Sequence, residues 1–332
     1  MNTGSTQHFS GRVNAFLGAH MLWFVTAFLA LGLLLPDVFS KLSGATVPMF
    51  AFMTFTNSLG GDFRDLARVT RSPLPVLAVL VTIHAAMPLL ALGLGRLLFP
   101  HAPLFTMGLL LEFSLPTAVS SLMWVGLGGG NVPLCLALVL LDTLMAPAVI
   151  PLTLRLLSGS VVQMDTAGMM WDLLWMVAIP ALLAMILHQA SRGRVETTLK
   201  PRLDPIAKLM LLTIIAVNAT GCAPFLQHVD RTLLLVIAAV LGLCLLGYAA
   251  GYWLGRLLGQ PFPTLMTMSL NTGVRNISAG AVLALQYFPA EVMFPVAFTP
   301  LFSQLTMSIM TKLLLRTGPG RAWIARQTEK PS

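Results

Sequence analysis

Apolar residues in this chain come in long blocks rather than in alternation, and each block ends at Pro, Gly or a cluster of charge. Ten such stretches can be read, near 14–35, 45–60, 74–98, 103–127, 131–156, 168–189, 206–223, 232–256, 261–286 and 290–315. About 20 apolar residues in a helix cross the hydrocarbon of a bilayer, so the pattern predicts an all-α integral membrane protein of ten transmembrane helices. Helix breakers beside polar residues interrupt two of the stretches. The fourth carries Ser114-Leu115-Pro116-Thr117-Ala118-Val119-Ser120-Ser121, and the ninth Asn271-Thr272-Gly273-Val274-Arg275-Asn276. They hold the same place in each half of five. An odd number of spans makes the halves run in opposite directions, which predicts two inverted five-helix repeats with broken helices 4 and 9 crossing near the midplane. The expected organisation is a cytoplasmic N-terminus over 1–13, a first repeat over 14–157, an external linker over 158–167, an inverted repeat over 168–315 and a basic cytoplasmic tail over 316–332.

Composition supports the bilayer. The 332 residues are 56% hydrophobic and 10% charged, where soluble domains carry about a quarter charged residues, so a water-soluble fold is excluded. The net charge of +8 does not require nucleic acid, because Lys and Arg kept in cytoplasmic loops account for it. With the N-terminus inside, those loops hold Arg12, Arg64, Arg68, Arg71, Arg192, Arg194, Lys200, Arg202, Lys208, Arg256, Lys312, Arg316, Arg321, Arg326 and Lys330, against Lys41, Arg96, Arg155 and Arg231 outside. Both termini are therefore expected in the cytoplasm of a multi-pass plasma-membrane or inner-membrane protein. The first apolar run has no small-residue cleavage site and is expected to be retained. Cys135, Cys222 and Cys244 have no metal-ligand spacing and read as small packing residues.

Against this background a few groups stand out. Arg275 lies inside the ninth stretch, Asp142 in the middle of the fifth, Glu112 just before the fourth-stretch break and His84 well inside the third. A charge at the bilayer centre costs at least about 2.5–3.5 kcal/mol on insertion scales, and such groups mark substrate or ion paths by default. Their bland readings are a structural Arg275–Asp142 ion pair, a hydrogen-bonded neutral imidazole for His84 and a protonated carboxyl for Glu112. Pro116 and Gly273 could be simple kinks. The breaks, however, free backbone groups that need partners at depth, and Thr117, Ser120, Ser121, Asn271, Thr272 and Asn276 supply polar atoms for that backbone, a ligand or an ion.

At these residues the chain resembles the bile acid:sodium symporter family. The resemblance runs through Gly60-Gly61-Asp62-Phe63, Arg71-Ser72-Pro73, Ala86-Met87-Pro88-Leu89-Leu90, Pro116-Thr117-Ala118, Gly130-Asn131-Val132 and Ala146-Pro147. Its most specific part is Thr272-Gly273-Val274-Arg275-Asn276-Ile277, which looks like the family's crossover motif. What the resemblance implies is a ten-helix fold, with a four-helix core holding the crossed helices and a panel of the others. It also implies alternating access and organic-anion substrates such as bile acids, steroid sulfates, keto acids or pantothenate. This chain departs from the family where coupling is concerned. The crossover carboxylate of sodium-binding members falls at Asn271, a neutral glutamine at Arg275, the third-helix glutamine at His84, and two fifth-helix hydroxyls at Val139 and Leu140. Sodium, a hard cation, prefers several oxygen ligands including a carboxylate, and a fixed positive charge nearby opposes it.

These departures favour a secondary transporter of a small carboxylate, sulfonate or sulfate with weakened or lost sodium coupling. Arg275 would compensate charge and contact the anion through paired hydrogen bonds, with Asp142 as its counter-ion. Asn271, Thr272, Gly273, Asn276, Pro116, Thr117, Ser120 and Ser121 would build the crossover, and His84, Asp142 and Glu112 are candidates for proton coupling. One alternative keeps a single weakened sodium site at Ser120, Ser121 and Asn276. Another is a non-transporting, ligand-binding membrane scaffold. No nucleophile–base pair, metal cluster or phosphate loop points to an enzyme, and no cofactor beyond a coupling ion is expected.

Overall fold

The computed structural model describes residues 14, 16–18, 20–67, 73–159, 164–226 and 231–328, without the side chains of 22, 222–226 and 301. Arg12, Arg68, Arg71, Lys330 and the side chain of Cys222 lie outside that set, as does the middle of the expected linker. The described residues are helical with no strand. The main helices are α1 (Met21–Leu34), α2 (Pro36–Ser58), α3 (Pro73–Leu98), α4 (Pro103–Ser114), α5 (Ser121–Leu127), α6 (Val132–Ser158) and α7 (Thr166–Ala190). They are followed by α8 (Lys200–Leu226), α9 (Arg231–Leu257), α10 (Phe262–Gly273), α11 (Ile277–Tyr287), α12 (Ala290–Arg316) and α13 (Gly318–Thr328).

Among the described residues, six helical segments are individually long and apolar enough to cross a membrane: α2, α3, α6, α7, residues Lys200–Gly221 of α8, and α9. A seventh is α12 if its halves, bent by 43° at Pro300, form one span. The protein is thus an integral membrane protein. The fourth and ninth stretches do not add unbroken helices because each is divided at its interruption.

Proline sets much of the local geometry. Leu35 leaves the helical region (φ −125°, ψ 52°) because Pro36 follows it, and Pro36 then opens α2. Between the first two apolar stretches the chain continues through a 3-10 turn, Ser40–Ala45, within α2. Pro88 cannot donate to the carbonyl four residues back, and its ring would press on it. The chain answers with a π-turn over Thr82–Ala86, which carries His84. Pro180 is preceded in the same way by a π-turn over Leu174–Ala178 in α7. Such bulges re-aim side chains and are frequent at functional positions.

The helices pack in two groups. α1, α2, α7 and α8 lie against one another, while α3 to α6 and α9 to α12 enclose the two breaks. This corrects the expectation of a four-helix core: the four-helix group is the unbroken one, and the crossing sits in the larger group. Physically, two breaks at depth free many backbone groups and need more surrounding helices to satisfy them. Within the expected basic tail, Gly318–Thr328 forms α13, whose Trp323 ring lies 5.6 Å from that of Phe262. The same ring covers Gly129, at φ +69°, where a Cβ would come within 2.1 Å of it.

Candidate functional site

The site is the place where the two interruptions meet. Leu115, which precedes Pro116, is extended (φ −68°, ψ 151°) and ends α4. Val274 (φ −110°, ψ 149°) ends α10, and Asn276 caps α11 by accepting from the Ala279 N–H at 3.3 Å. The two segments hydrogen-bond directly: the Asn276 N–H donates to Pro116 O at 2.8 Å, and the Thr117 hydroxyl donates to Asn271 O at 3.0 Å. One freed amide and one freed carbonyl are thus joined across the crossing, and the Thr117 hydroxyl satisfies a second carbonyl.

Around this crossing lies a closed polar network. Asn271, fully buried, accepts through Oδ1 from the Thr117 hydroxyl at 3.2 Å and the Ser121 hydroxyl at 3.1 Å, and donates through Nδ2 to Thr267 O at 2.8 Å. Cys135 completes it, with Sγ 3.3 Å from Ser121 Oγ and 3.2 Å from Asn271 Nδ2. Cys135 is thus more than the packing residue its apolar surroundings suggest. Thr267, unremarkable in sequence, also ties α10 to the start of α6, since its hydroxyl oxygen accepts from the Asn131 N–H at 2.9 Å.

A second polar pair touches the same crossing. Asp142, with no exposed surface, accepts from the Thr117 N–H at 2.7 Å through Oδ2, and its Oδ1 lies 2.6 Å from His84 Nε2. The partner of Asp142 is therefore His84 rather than Arg275. The π-turn in α3 explains this, because it brings the imidazole to the fifth-stretch carboxylate, while the Thr117 N–H freed by Pro116 takes the other oxygen. His84 Nδ1 is buried and has no hydrogen-bond partner among the described residues.

Arg275 is 1% exposed and forms no ion pair among the described residues. Its Nη1 donates to Thr272 O and Val274 O, both at 2.9 Å, and its guanidinium carbon lies 5.5 Å from the Phe113 ring centre. The charge thus sits on the carboxyl end of α10, where it complements the helix dipole and satisfies terminal carbonyls. Among the described residues Nε and Nη2 have no hydrogen-bond partner, while the carboxyl of buried Glu112 lies beside the Thr299 hydroxyl. Asp142 and Glu112 both lie within electrostatic reach of the guanidinium. In this conformation Arg275 faces its own backbone and Phe113, so direct anion contact would require it to turn.

The glycines of α9 hold the crossing in place, a feature the sequence reading passed over. Gly247, Gly251 and Gly255 recur every fourth residue and face α10. A Cβ at 251 would fall 2.1 Å from Thr272 Oγ1 and 2.5 Å from Met268 O, and one at 247 would fall 2.6 Å from Thr272 O. Because those side chains are absent, the Thr272 hydroxyl reaches Gly247 O at 2.8 Å and the Ser269 hydroxyl reaches Tyr248 O at 2.8 Å. The repeat of small residues is a recognised signal for close helix approach in membranes. Gly273 is constrained likewise, since a Cβ there would lie 2.2 Å from the Tyr248 ring. Of the remaining sequence candidates, Ser120 is half-buried at the start of α5 and makes no side-chain cap.

Comparison with known proteins identifies the family. Residues 46–229 match the model of the sodium bile acid symporter family. The chain belongs to that family. It is 37% identical over 286 residues to the uncharacterized protein YbaS of Bacillus subtilis, covering 86% of this chain and 94% of that one. It is 23% identical over 300 residues to the uncharacterized sodium-dependent transporter YocS of the same organism, covering 90% and 92%. A 27% identity over 302 residues relates it to the probable sodium/metabolite cotransporter BASS1, chloroplastic, of Arabidopsis thaliana, covering 87% of this chain and 71% of that one. Membership of the symporter family makes this chain a membrane transporter rather than an enzyme.

Proposed function

We propose that this symporter-family member moves a small organic anion by alternating access about the crossing of α4–α5 and α10–α11, and that protons rather than two sodium ions drive it. In this reading the chain forms ten spans in two inverted halves, 14–157 and 168–315, with both termini cytoplasmic and each broken pair counted as one span. The observation that carries it is the chain of contacts Thr117 N–H to Asp142 to His84, at 2.7 and 2.6 Å. It joins a titratable pair to the backbone of a segment that must rearrange if the access changes. A proton taken up at His84 Nδ1 would turn a neutral imidazole beside the Asp142 carboxylate, net charge −1, into an imidazolium–carboxylate pair of net charge zero, and proton loss would reverse it. That change in charge, felt at Thr117, is the coupling step. Arg275 supplies a fixed positive charge at the carboxyl end of α10, where a bound cation would otherwise assist the arrival of an anion.

The oxygen donors nearby do not fit a sodium cage. A cation of this kind needs several oxygens converging on one point. Here Asn271 Oδ1 is engaged by two hydroxyls, Asp142 by His84 and Thr117, and Asn276 Oδ1 by the cap of α11. The second reading, a symporter retaining one sodium site at Ser120, Ser121 and Asn276, draws support from the relative YocS, named as a sodium-dependent transporter. Uptake of labelled taurocholate, pyruvate and pantothenate into proteoliposomes separates the two. Proton coupling requires uptake driven by an acid exterior without sodium, whereas the sodium reading requires a sodium gradient and indifference to pH.

A further inference from the structure

A second polar feature lies away from the crossing, where the end of α3, the start of α4 and the end of α6 converge. There a cavity of about 290 Å³ is lined by Arg96, Thr106 and Ser158 together with Leu92, Phe99 and Met107. Thr106 and Ser158 are 6% and 5% exposed, yet neither hydroxyl has a hydrogen-bond partner among the described residues. This is unusual in this chain, where Thr54, Thr56, Thr82, Ser114, Thr299 and Thr311 each donate to the carbonyl four residues before. A buried hydroxyl left unpaired costs about 1–3 kcal/mol. Packing explains why Thr106 is turned as it is: its methyl fills the space beside Gly95, where a Cβ would lie 2.6 Å away. The N-terminus of α4, with no side-chain cap, opens beside the cavity and adds the positive end of a twelve-residue helix.

We infer that this cavity is a binding site, distinct from the crossing, for a small monocarboxylate with a short apolar chain. Arg96 holds the carboxylate, the hydroxyls of Thr106 and Ser158 donate to it, and Leu92, Phe99 and Met107 cover the chain. The volume is near the lower end of the roughly 300–1,000 Å³ typical of small-molecule sites, which favours an acid of a few carbons over a steroid. The inference stands independently of the coupling mechanism, because none of these residues touches the crossing.

The test uses the full chain in neutral-lipid nanodiscs, with hexanoate as probe, acetate lacking the apolar chain and hexanol lacking the charge. Thermal unfolding followed by tryptophan fluorescence should shift upward with hexanoate more than with acetate or hexanol. The apparent affinity should fall at least 10-fold in Arg96→Gln and in the double variant Thr106→Val/Ser158→Ala, and stay unchanged in Arg256→Gln, whose side chain is exposed at the end of α9. Should those variants fold poorly, Ser158→Cys in a Cys222→Ser background gives an independent readout: hexanoate, and not hexanol, should slow its labelling by a maleimide. The inference is overturned if the Arg96 and hydroxyl variants keep the wild-type response, if Arg256→Gln weakens it equally, or if labelling at 158 is indifferent to hexanoate.

Discussion

Replacing Asp142 tests the geometry of the crossing quantitatively. Its two oxygens serve different partners, the Thr117 N–H at 2.7 Å and His84 Nε2 at 2.6 Å, and the residue has no exposed surface. Asp142→Ala leaves a buried N–H without an acceptor, at about 1–3 kcal/mol, and breaks a buried pair, at about 3–5 kcal/mol. The two losses share one group and do not add, so a total of about 3–5 kcal/mol is expected. Asp142→Asn behaves differently, since its amide oxygen still accepts from Thr117 and its NH2 still donates to a neutral Nε2. Only the charge-assisted character is lost, a difference of about 1–2 kcal/mol. A double-mutant cycle with His84→Ala should return a coupling energy above about 1 kcal/mol for the Ala series and a clearly smaller one for the Asn series. Reversible unfolding of purified protein in mixed micelles is a suitable assay. Additivity within about 0.5 kcal/mol, or equal costs for Asn and Ala at position 142, would refute the pairing.

Other consequences are simpler to state. Gly251→Ala places a Cβ 2.1 Å from Thr272 Oγ1; the resulting overpacking should cost about 1–3 kcal/mol, and an unchanged unfolding temperature would show that α9 does not approach α10 so closely. Asn271→Asp puts a carboxylate oxygen where Nδ2 now donates to Thr267 O at 2.8 Å. The variant should then become stabilised by sodium over choline, by about 2.7 kcal/mol at 100 times the dissociation constant, whereas the wild type should respond equally to both salts. Arg275→Gln can keep one bond to the end of α10 but loses the fixed charge. It should reach the membrane at normal level with anion uptake reduced at least 10-fold; full uptake would remove Arg275 from the transport account.

Much of this was legible in the chain because breaks and charges in an apolar sequence are conspicuous. Pro116, Gly273 and their polar neighbours located the crossing, and intramembrane scarcity singled out His84, Asp142, Glu112 and Arg275. Partner choice was not legible, because it depends on three-dimensional aim. Asp142 and Arg275 look complementary in one dimension, but Pro88 imposes a π-turn that delivers His84 instead, and Arg275 turns to the carbonyls of its own helix end. Cys135 and Thr267 resembled ordinary packing residues since nothing local distinguishes them; only the chain crossing brings them to Asn271. The glycines at 247, 251 and 255 did carry a readable period. It was overshadowed by the hydropathy of α9, which suggested only another span. The two stretches read as interrupted each fold as a pair of shorter helices, α4 with α5 and α10 with α11.

The central claim is that His84 and Asp142 couple anion movement to protons, and it can be tested by one flux measurement. Proteoliposomes containing the purified chain and a trapped pH-sensitive dye, in sodium-free buffer, are given pyruvate, pantothenate or taurocholate under an acid-outside gradient. The account predicts internal acidification that requires both the anion and the protein and disappears in Asp142→Asn. Anion uptake that proceeds without proton entry, follows an imposed sodium gradient and survives in Asp142→Asn would contradict it.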